Sequence, residues 1–202
     1  MLYQRTLAKS VKVTGIGIHS GRKVHMELHP AEADTGICFK RTDLPNAPVL
    51  KATAETVGAT ENNTTLGQGE NAVHTVEHLL SVLYSLGISN VYIEIDGPEI
   101  PIMDGSGASF VFLLKETGIA TLSKSKQFLV VLEPVEVRVD DKWAKIEPAS
   151  KLIIDSTIVF AHSMIKKQRK VFEFTCENFI NEIGRARTFG MLRDVDMLKR
   201  KG

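Results

Sequence analysis

The residues with the clearest chemical potential are those of His74-Thr-Val-Glu77-His78. Two histidines one helical turn apart, with a glutamate beside the second, match the reversed H-x-x-E-H signature of zinc proteases. In that interpretation both histidines bind zinc and Glu77 activates water. In a second interpretation only His78 is a zinc ligand, Glu77 is the general base and His74 takes no part. The five residues alone leave both interpretations open.

The chemistry available to Glu77 and His78 is hydrolysis near neutral pH. Zinc lowers the pKa of its bound water to about 7, and a nearby carboxylate can take the proton of that water and pass it to a leaving amine. A glutamate next to a ligand histidine would supply both groups from one rigid turn. The simpler alternative is that Glu77 is a first-turn acid favoured by the helix dipole and His78 a partly buried polar residue.

An amphipathic helix of about three turns is predicted to carry this pair. Five apolar residues repeat at steps of three and four: Val76, Leu79, Leu80, Leu83 and Leu86. Gly87 is suited to end the helix. A helix that begins near Asn71 would place His74 and His78 on one face, whereas Thr75 as N-cap would leave His74 outside the helix. The first residue of the helix therefore decides between the two zinc interpretations.

Strands are predicted around this helix. The segments KSVKVTGIGIH, KVHMELHP, ICFKR and VYIEI alternate or cluster apolar residues between Gly, Pro, Asp and Ser. A second helix is predicted to begin with Ser106 as N-cap and to end at Gly118. The stretch 51–70 is rich in Thr, Asn and Gly and predicts a long loop that leads into the first helix, a kind of segment that often carries function.

The remaining histidines have different settings. His25 and His29 fall on the polar side of KVHMELHP, which indicates a solvated strand face. His19 follows VTGIGI at a strand end, beside Ser20, where side chains can face a cleft. His162 lies in the strand-like stretch VFAHSMI and has no assigned role.

The second half of the chain faintly repeats the first. GRKVHMELHPAEADTGICFK and DDKWAKIEPASKLIIDSTIVF both run from a turn through Lys and an alternating strand to Pro-Ala and an apolar strand. Lys23 and Lys142 are offset by 119 residues, and Pro30 and Pro148 by 118. This spacing indicates an internal duplication.

The duplication predicts an α+β fold of two similar sheet-plus-helix sandwich domains. The first is assigned to residues 1–122 and the second to 127–202, joined by the polar link LSKSK at 122–126. The second domain should contain strands in QFLVVLEPVEVRV, DDKWAKIEP and KLIIDSTIVF, and its leading helix near 177–190. Because its last strand and helix would fall later still, the second domain is expected to be truncated at Gly202.

The composition is that of an ordinary globular protein. The chain has 202 residues, 43% of them hydrophobic, and its 25 Lys plus Arg balance 24 Asp plus Glu without a basic stripe, so we expect no nucleic-acid partner. Cys38 and Cys176 stand alone, which argues against a disulfide framework and suits a reducing cytoplasm. The first residues lack the apolar region of a signal peptide, and no apolar run approaches the roughly 20 residues of a transmembrane helix.

Several long motifs, in order, carry a resemblance to a known family. QRTL, TGIGIHSG, FKRTDL, TVEHLLSVLYSLGISNVYIEI, GPEIPIMDGSGASFV and GRARTFG span nearly all of residues 3–200. In this order they resemble the UDP-3-O-acyl-N-acetylglucosamine deacetylases of Gram-negative lipid A biosynthesis. The resemblance implies a zinc amidohydrolase that removes the acetyl group of a UDP-linked acylated glucosamine, with its site between two similar α+β domains.

Residue by residue, the resemblance implies a role for five side chains. Glu77 takes the place of the general base, and His78 that of the first zinc ligand. Thr188 would help to stabilise the tetrahedral oxyanion, Phe189 would line the substrate cleft, and His19 would lie near the substrate. Members of the family have a non-ligand at the place of His74, so the resemblance favours one ligand, one base and a bystander.

The resemblance also implies what this chain lacks. In the family a His and an Asp that complete the zinc site, a His that acts as general acid and a substrate-contacting Lys come from a later part of the second domain. The loop at 57–68 matches an insert that borders the acyl-chain site, with Asn62-Asn63 where apolar residues are more usual. The chain alone is therefore expected to have little or no activity, and its incomplete domain to favour self-association. A zinc protease and a remnant that binds the nucleotide sugar without hydrolysing it are the alternatives.

Overall fold

The computed structural model describes residues 2–190, which form a mixed α+β structure. The first 125 residues contain these strands: β1 (Tyr3–Leu7), β2 (Val11–Ile16), β3 (Lys23–Pro30), β4 (Ile37–Arg41), β5 (Leu50–Lys51), β6 (Val91–Ile95) and β7 (Ile119–Ser125). Two ten-residue helices lie among them, α1 (Glu77–Leu86) and α2 (Ala108–Thr117). The α+β class predicted from the sequence is confirmed.

The main sheet has five strands in the order β2-β3-β6-β4-β5. Adjacent strands in this sheet are antiparallel, except that β4 and β6 run parallel. Strand β3 buries Val24, Met26 and Leu28 on one face and leaves His25 exposed on the other, as the period-two pattern predicted. The buried face shares one hydrophobic core with α1 and α2.

Helix α1 follows the predicted apolar pattern at its core face. Its buried apolar residues each lie three or four positions from two others of the set: Leu79, Val82, Leu83 and Leu86. Gly87 ends the helix with a φ of 74°, a left-handed conformation that costs glycine little. Helix α2 ends at Gly118 as predicted, but its N-cap is Gly107, one residue after Ser106. The Ser106 hydroxyl accepts the N–H of Ala108 at 3.1 Å, so it still satisfies the start of the helix.

The polar stretch 122–126 belongs mostly to a strand, so the prediction that it is a link outside the strands is wrong. Its residues up to Ser125 complete β7, which pairs antiparallel with β1 in a separate two-stranded ribbon. The Lys124 ammonium lies 2.5 Å from the Asp34 carboxylate, 90 positions earlier in the chain. This long-range pair and the backbone pairing hold a stretch whose local sequence indicates no strand.

The later part of the chain forms two further antiparallel ribbons. They pair β8 (Val135–Val139) with β9 (Lys142–Ile146), and β10 (Ile153–Val159) with β11 (Lys167–Glu173). The predicted strand at 127–139 is confirmed only in β8, since residues 127–132 have no regular structure. The division into 1–122 and 127–202 stays a prediction, and its residues 191–202 lie outside the described part of the chain.

The helix predicted at 177–190 is shorter than expected. Helix α3 (Cys176–Asn178) continues into a π-helical turn, Phe179–Ile183, after which 185–190 are not helical. Phe179 is buried in the same core as α1 and α2, so this turn attaches the later part of the chain to the earlier part. Within residues 2–190, no helix is long and apolar enough to cross a membrane.

Candidate functional site

Glu77 and His78 occupy the first turn of α1, and both are half-buried. The N-cap residue of α1 is Val76, whose side chain makes no capping hydrogen bond. The Oε2 atom of Glu77 accepts the backbone N–H of Thr64 at 2.9 Å, so the predicted functional loop contacts this residue directly. A carboxylate in the first turn is favoured by the helix dipole. The two side chains therefore come from consecutive residues of one rigid turn, as both zinc interpretations require.

His74 lies outside α1, in an extended segment. Its N–H donates to the Pro98 carbonyl at 2.8 Å, and its carbonyl accepts the N–H of Ile100 at 3.0 Å. The imidazole Nδ1 is 2.9 Å from the Thr65 hydroxyl. Burial, more than any neighbouring charge, lowers the pKa of His74. Because α1 begins at Glu77, His74 and His78 are not one helical turn apart on a shared face, and the geometry of the reversed protease motif is absent.

Thr75, one of the two helix starts considered from the sequence, does not cap the helix. Its φ is 60°, a left-handed conformation that is uncommon for a β-branched residue. Its hydroxyl donates instead to Oε1 of Glu99 at 3.0 Å. The chain thus turns from extended His74 into α1 within two residues, and Glu99 holds the turning point.

Glu99 is the residue of this region that sequence reasoning missed. It is 1% exposed, and its carboxylate accepts the backbone N–H groups of His19 and Ser20 as well as the Thr75 hydroxyl. Burial alone would raise the pKa of Glu99, but these hydrogen bonds outweigh it and hold the pKa below its usual range. The available signal was a glutamate between two prolines in the apolar tract PEIPIM.

His19 is exposed in the turn that follows β2. Its backbone N–H donates to both oxygens of Glu99, at 3.0 and 3.2 Å. The same carboxylate accepts the Thr75 hydroxyl, so the His19 turn and a residue just before α1 share one hydrogen-bond acceptor. The structure thus brings His19 to the same region as the start of α1, although the two are far apart in sequence.

Thr188 and Phe189 belong to the later part of the chain and contact Gly105 and Phe160. The Thr188 N–H donates to the Gly105 carbonyl at 2.9 Å. The ring of Phe189 is exposed and meets Phe160 edge-to-face, with centroids 5.4 Å apart. Within residues 2–190, no hydrogen bond joins Thr188 to Glu77 or His78.

The segment 98–105 connects these pieces. Its first residues bond to His74, Thr75 and the His19 turn, and the Ile102 N–H donates to the Ile16 carbonyl at the end of β2. Its last residue receives Thr188. Asp104 accepts from the Ser106 amide and hydroxyl, and these bonds lower its pKa, so it serves the turn before α2. The segment therefore contacts two of the five candidate residues, His19 and Thr188, and holds His74 and Thr75 just before α1.

The remaining histidines take part in local contacts. His25 pairs with Asp96 at 2.7 Å, and His29 lies 3.5 Å from Glu94, both on the outer face of the main sheet as predicted. His162 is exposed, and its Nδ1 accepts the N–H of Met164 at 3.3 Å.

The donor set fits part of a zinc site. An imidazole with a carboxylate beside it suits zinc, and catalytic zinc commonly has three protein ligands. Within residues 2–190, no three His, Cys, Asp or Glu side chains are grouped so as to hold a metal ion. The described residues thus place one imidazole, His78, next to one carboxylate, Glu77, and show no complete metal site.

Comparison with known proteins agrees with these motifs. The family model for UDP-3-O-acyl N-acetylglycosamine deacetylase matches residues 4–202. Proteins named UDP-3-O-acyl-N-acetylglucosamine deacetylase are similar over almost the whole chain: 44% identity in Thioalkalivibrio sulfidiphilus, over 100% of this chain and 67% of the relative, and 47% in Aliivibrio fischeri, over 98% and 66%. The chain spans about two thirds of the length of these curated relatives. It belongs to the UDP-3-O-acyl N-acetylglycosamine deacetylase family.

Proposed function

We propose that this chain supplies the general base and one zinc ligand of a zinc-dependent deacetylase that acts on UDP-3-O-acyl-N-acetylglucosamine in lipid A biosynthesis. The observation that carries the proposal is the start of α1, where Glu77 and His78 are consecutive and half-buried while His74 lies outside the helix. The activity is proposed for a protein of the relatives' full length. Free thiols at Cys38 and Cys176 suit a cytoplasmic setting.

Hydrolysis of the acetamide requires a water nucleophile and a proton for the leaving amine. Bound zinc, with His78 as one ligand, would supply a water of lowered pKa. Because the Thr64 N–H holds Oε2 of Glu77, we assign Oε1 as the atom that takes the proton of the attacking water. As the C–N bond breaks, the amine would take a proton from the general-acid histidine that the resemblance implies in a later part of the protein, and the products are acetate and the free amine of the glucosamine.

Thr188, Phe189 and His19 would act on the substrate. We assign the Thr188 hydroxyl to the developing oxyanion, since its backbone is fixed on the Gly105 carbonyl. The exposed ring of Phe189 would line the cleft, and the exposed imidazole of His19 would meet the substrate from the turn after β2.

By itself the 202-residue chain is expected to hold zinc weakly and to release no acetate. Catalytic zinc needs further protein ligands, and residues 2–190 provide no group of three. The family resemblance implies that the remaining His and Asp ligands come from a later helix. Zinc retained at one equivalent per chain after dialysis would contradict this expectation.

Self-association of the isolated chain is also proposed. Large apolar side chains in the ribbons after residue 127 are exposed, among them Val137, Trp143 and Val159. Large exposed apolar side chains provide surface for association. Light scattering of the purified chain should show species larger than a monomer, and a monodisperse monomer would argue against the proposal.

The function is best tested in a hybrid enzyme, in which this chain replaces the matching two thirds of the Aliivibrio fischeri relative. Acetate release from UDP-3-O-acyl-N-acetylglucosamine is expected, lost with a zinc chelator and restored by added zinc. The unmodified relative serves as the control. A folded, zinc-loaded hybrid that releases no acetate would contradict the proposal. Substrate binding without hydrolysis and without response to the chelator would favour a non-catalytic binding role.

A further inference from the structure

A buried carboxylate that the proposed mechanism does not use lies between two sides of the candidate site. Oε1 of Glu99 accepts from the His19 N–H at 3.0 Å and from the Thr75 hydroxyl at 3.0 Å. Oε2 accepts from the Ser20 N–H at 2.8 Å and from the His19 N–H at 3.2 Å. A carboxylate this deeply buried is tolerated only when hydrogen bonds compensate its charge. Both oxygens are in use, and they join segments that are distant in sequence.

The backbone around Glu99 strengthens the same connection. The Pro98 carbonyl accepts the N–H of His74, and the N–H of Ile100 donates to the His74 carbonyl. Residues 98–100 therefore hold His74 through their backbone and Thr75 through the Glu99 side chain. These two contacts immediately precede the turn that carries Glu77 and His78.

The conformation of Thr75 needs such support. A φ of 60° is strained for a β-branched residue and persists only where the surroundings enforce it. The hydrogen bond to Glu99 is the one that the Thr75 side chain makes within residues 2–190. Because this residue turns the chain into α1, its conformation sets the direction in which Glu77 and His78 leave the helix.

Gly17 provides the space that the carboxylate occupies. A Cβ atom at this position would collide with Oε2 of Glu99 and with the Ser20 hydroxyl. The φ of Gly17 is not in the left-handed region, so alanine there would conflict with these side-chain atoms and not with the backbone conformation. Gly17→Ala would thus displace the carboxylate without removing its charge.

We propose that Glu99 is a positioning residue that couples the His19 turn to the start of α1, so that the substrate-facing and water-activating sides of the site keep a fixed geometry. The catalytic part of this inference rests on the proposed function. The structural part does not, since it concerns only hydrogen bonds within the chain.

The first test is backbone amide exchange in the 202-residue chain. A carboxamide has one acceptor oxygen, so Glu99→Gln should accelerate exchange at His19 and Ser20 by roughly 10- to 100-fold. Gly17→Ala should do the same, and the exposed Glu116→Gln is the charge-matched control that should not. Unchanged exchange at both amides in Glu99→Gln and Gly17→Ala would overturn the proposal. Exchange that rises equally throughout the core in both variants would show general unfolding and would also overturn it.

The second test measures the catalytic consequence in the hybrid enzyme. Glu99→Gln and Thr75→Val, which removes the hydroxyl at nearly constant shape, should lower kcat by roughly 10- to 100-fold with zinc content unchanged. Thr75→Ser keeps the hydroxyl and should retain most of the activity. Wild-type kcat in both Glu99→Gln and Thr75→Val would overturn the positioning role. If the hybrid itself releases no acetate, the proposed function fails while the exchange result still decides the structural part.

Discussion

Arg41 offers a prediction whose size follows from its burial. It is 6% exposed at the end of β4, and its Nε and Nη2 atoms donate to the two carboxylate oxygens of Asp43 at 2.7 and 2.6 Å. Its Nη1 atom donates to the carbonyls of Glu70 and Ala72 at 3.0 and 3.1 Å. One side chain thus fastens the loop that leads to His74 onto the main sheet.

Arg41→Met is expected to destabilise the protein by about 3 kcal/mol. Breaking a buried ion pair from one side costs roughly 3–5 kcal/mol, because the partner and any bonded carbonyls lose their donors. The lower end applies here, since Asp43 is 31% exposed and can regain water. Methionine fills most of the hydrocarbon volume, so the loss measures mainly the polar contacts.

The chain contains a matched control for this variant. Arg169 forms the same two-bond fork with Asp155, at 2.8 and 2.6 Å, but the two side chains are 61% and 47% exposed. Exposed pairs contribute little, so Arg169→Met should leave the stability nearly unchanged. Urea unfolding followed by circular dichroism gives both values. Equal changes in the two variants, or no change in Arg41→Met, would refute the argument from burial.

Three further predictions concern acid stability, the core and the bystander histidine. The folded pKa of Glu99 lies below its ordinary value of 4.5, so the contribution of Glu99 to stability is present above about pH 4.5 and is lost as the pH falls through the folded pKa. In urea unfolding at several pH values, Glu99→Gln should therefore lose less stability in acid than the wild type. An equal dependence of stability on pH in the two proteins would contradict this prediction. Phe179→Ala, at a site 5% exposed, should cost about 3–5 kcal/mol in urea unfolding, whereas Phe112→Ala, at a site 70% exposed, should cost little; similar midpoints would count against the core assignment. His74→Ala should leave the zinc content of the hybrid enzyme unchanged by elemental analysis, and loss of zinc would return the H-x-x-E-H interpretation to consideration.

The parts of the fold that sequence could predict are those where burial repeats along one element. The leucines of α1 and the alternation in β3 indicate which face meets the core, and Gly87 and Gly118 mark helix ends by their positive φ. These signals are local, because each depends on residues within a few positions of one another.

The parts that could not be predicted depend on distant partners. The strand β7 is polar at its end and exists because it pairs with β1. Thr75 has the type of an N-cap, but a partner 24 positions later takes its hydroxyl. The Glu99 cluster is likewise assembled from three separate segments, so spacing in the sequence gives no sign of it.

The candidate site divides in the same way. Glu77 and His78 were identifiable because consecutive residues of one helical turn are also close together in the structure. Family resemblance named His19, Thr188 and Phe189. The segment 98–105 holds the backbones of His19 and Thr188, and the ring of Phe189 contacts that of Phe160. The roles of these five residues stay predictions.

The most direct test of the central claim compares Glu77→Gln with His78→Gln in the hybrid enzyme, measuring zinc per chain and acetate release on the same samples. Glu77→Gln should keep its zinc and lose roughly 10²- to 10⁴-fold in kcat, as expected for removal of a general base. His78→Gln should lose zinc as well as activity. Full activity in Glu77→Gln, or a zinc content unaffected by His78→Gln, would contradict the claim that this turn carries the base and a metal ligand.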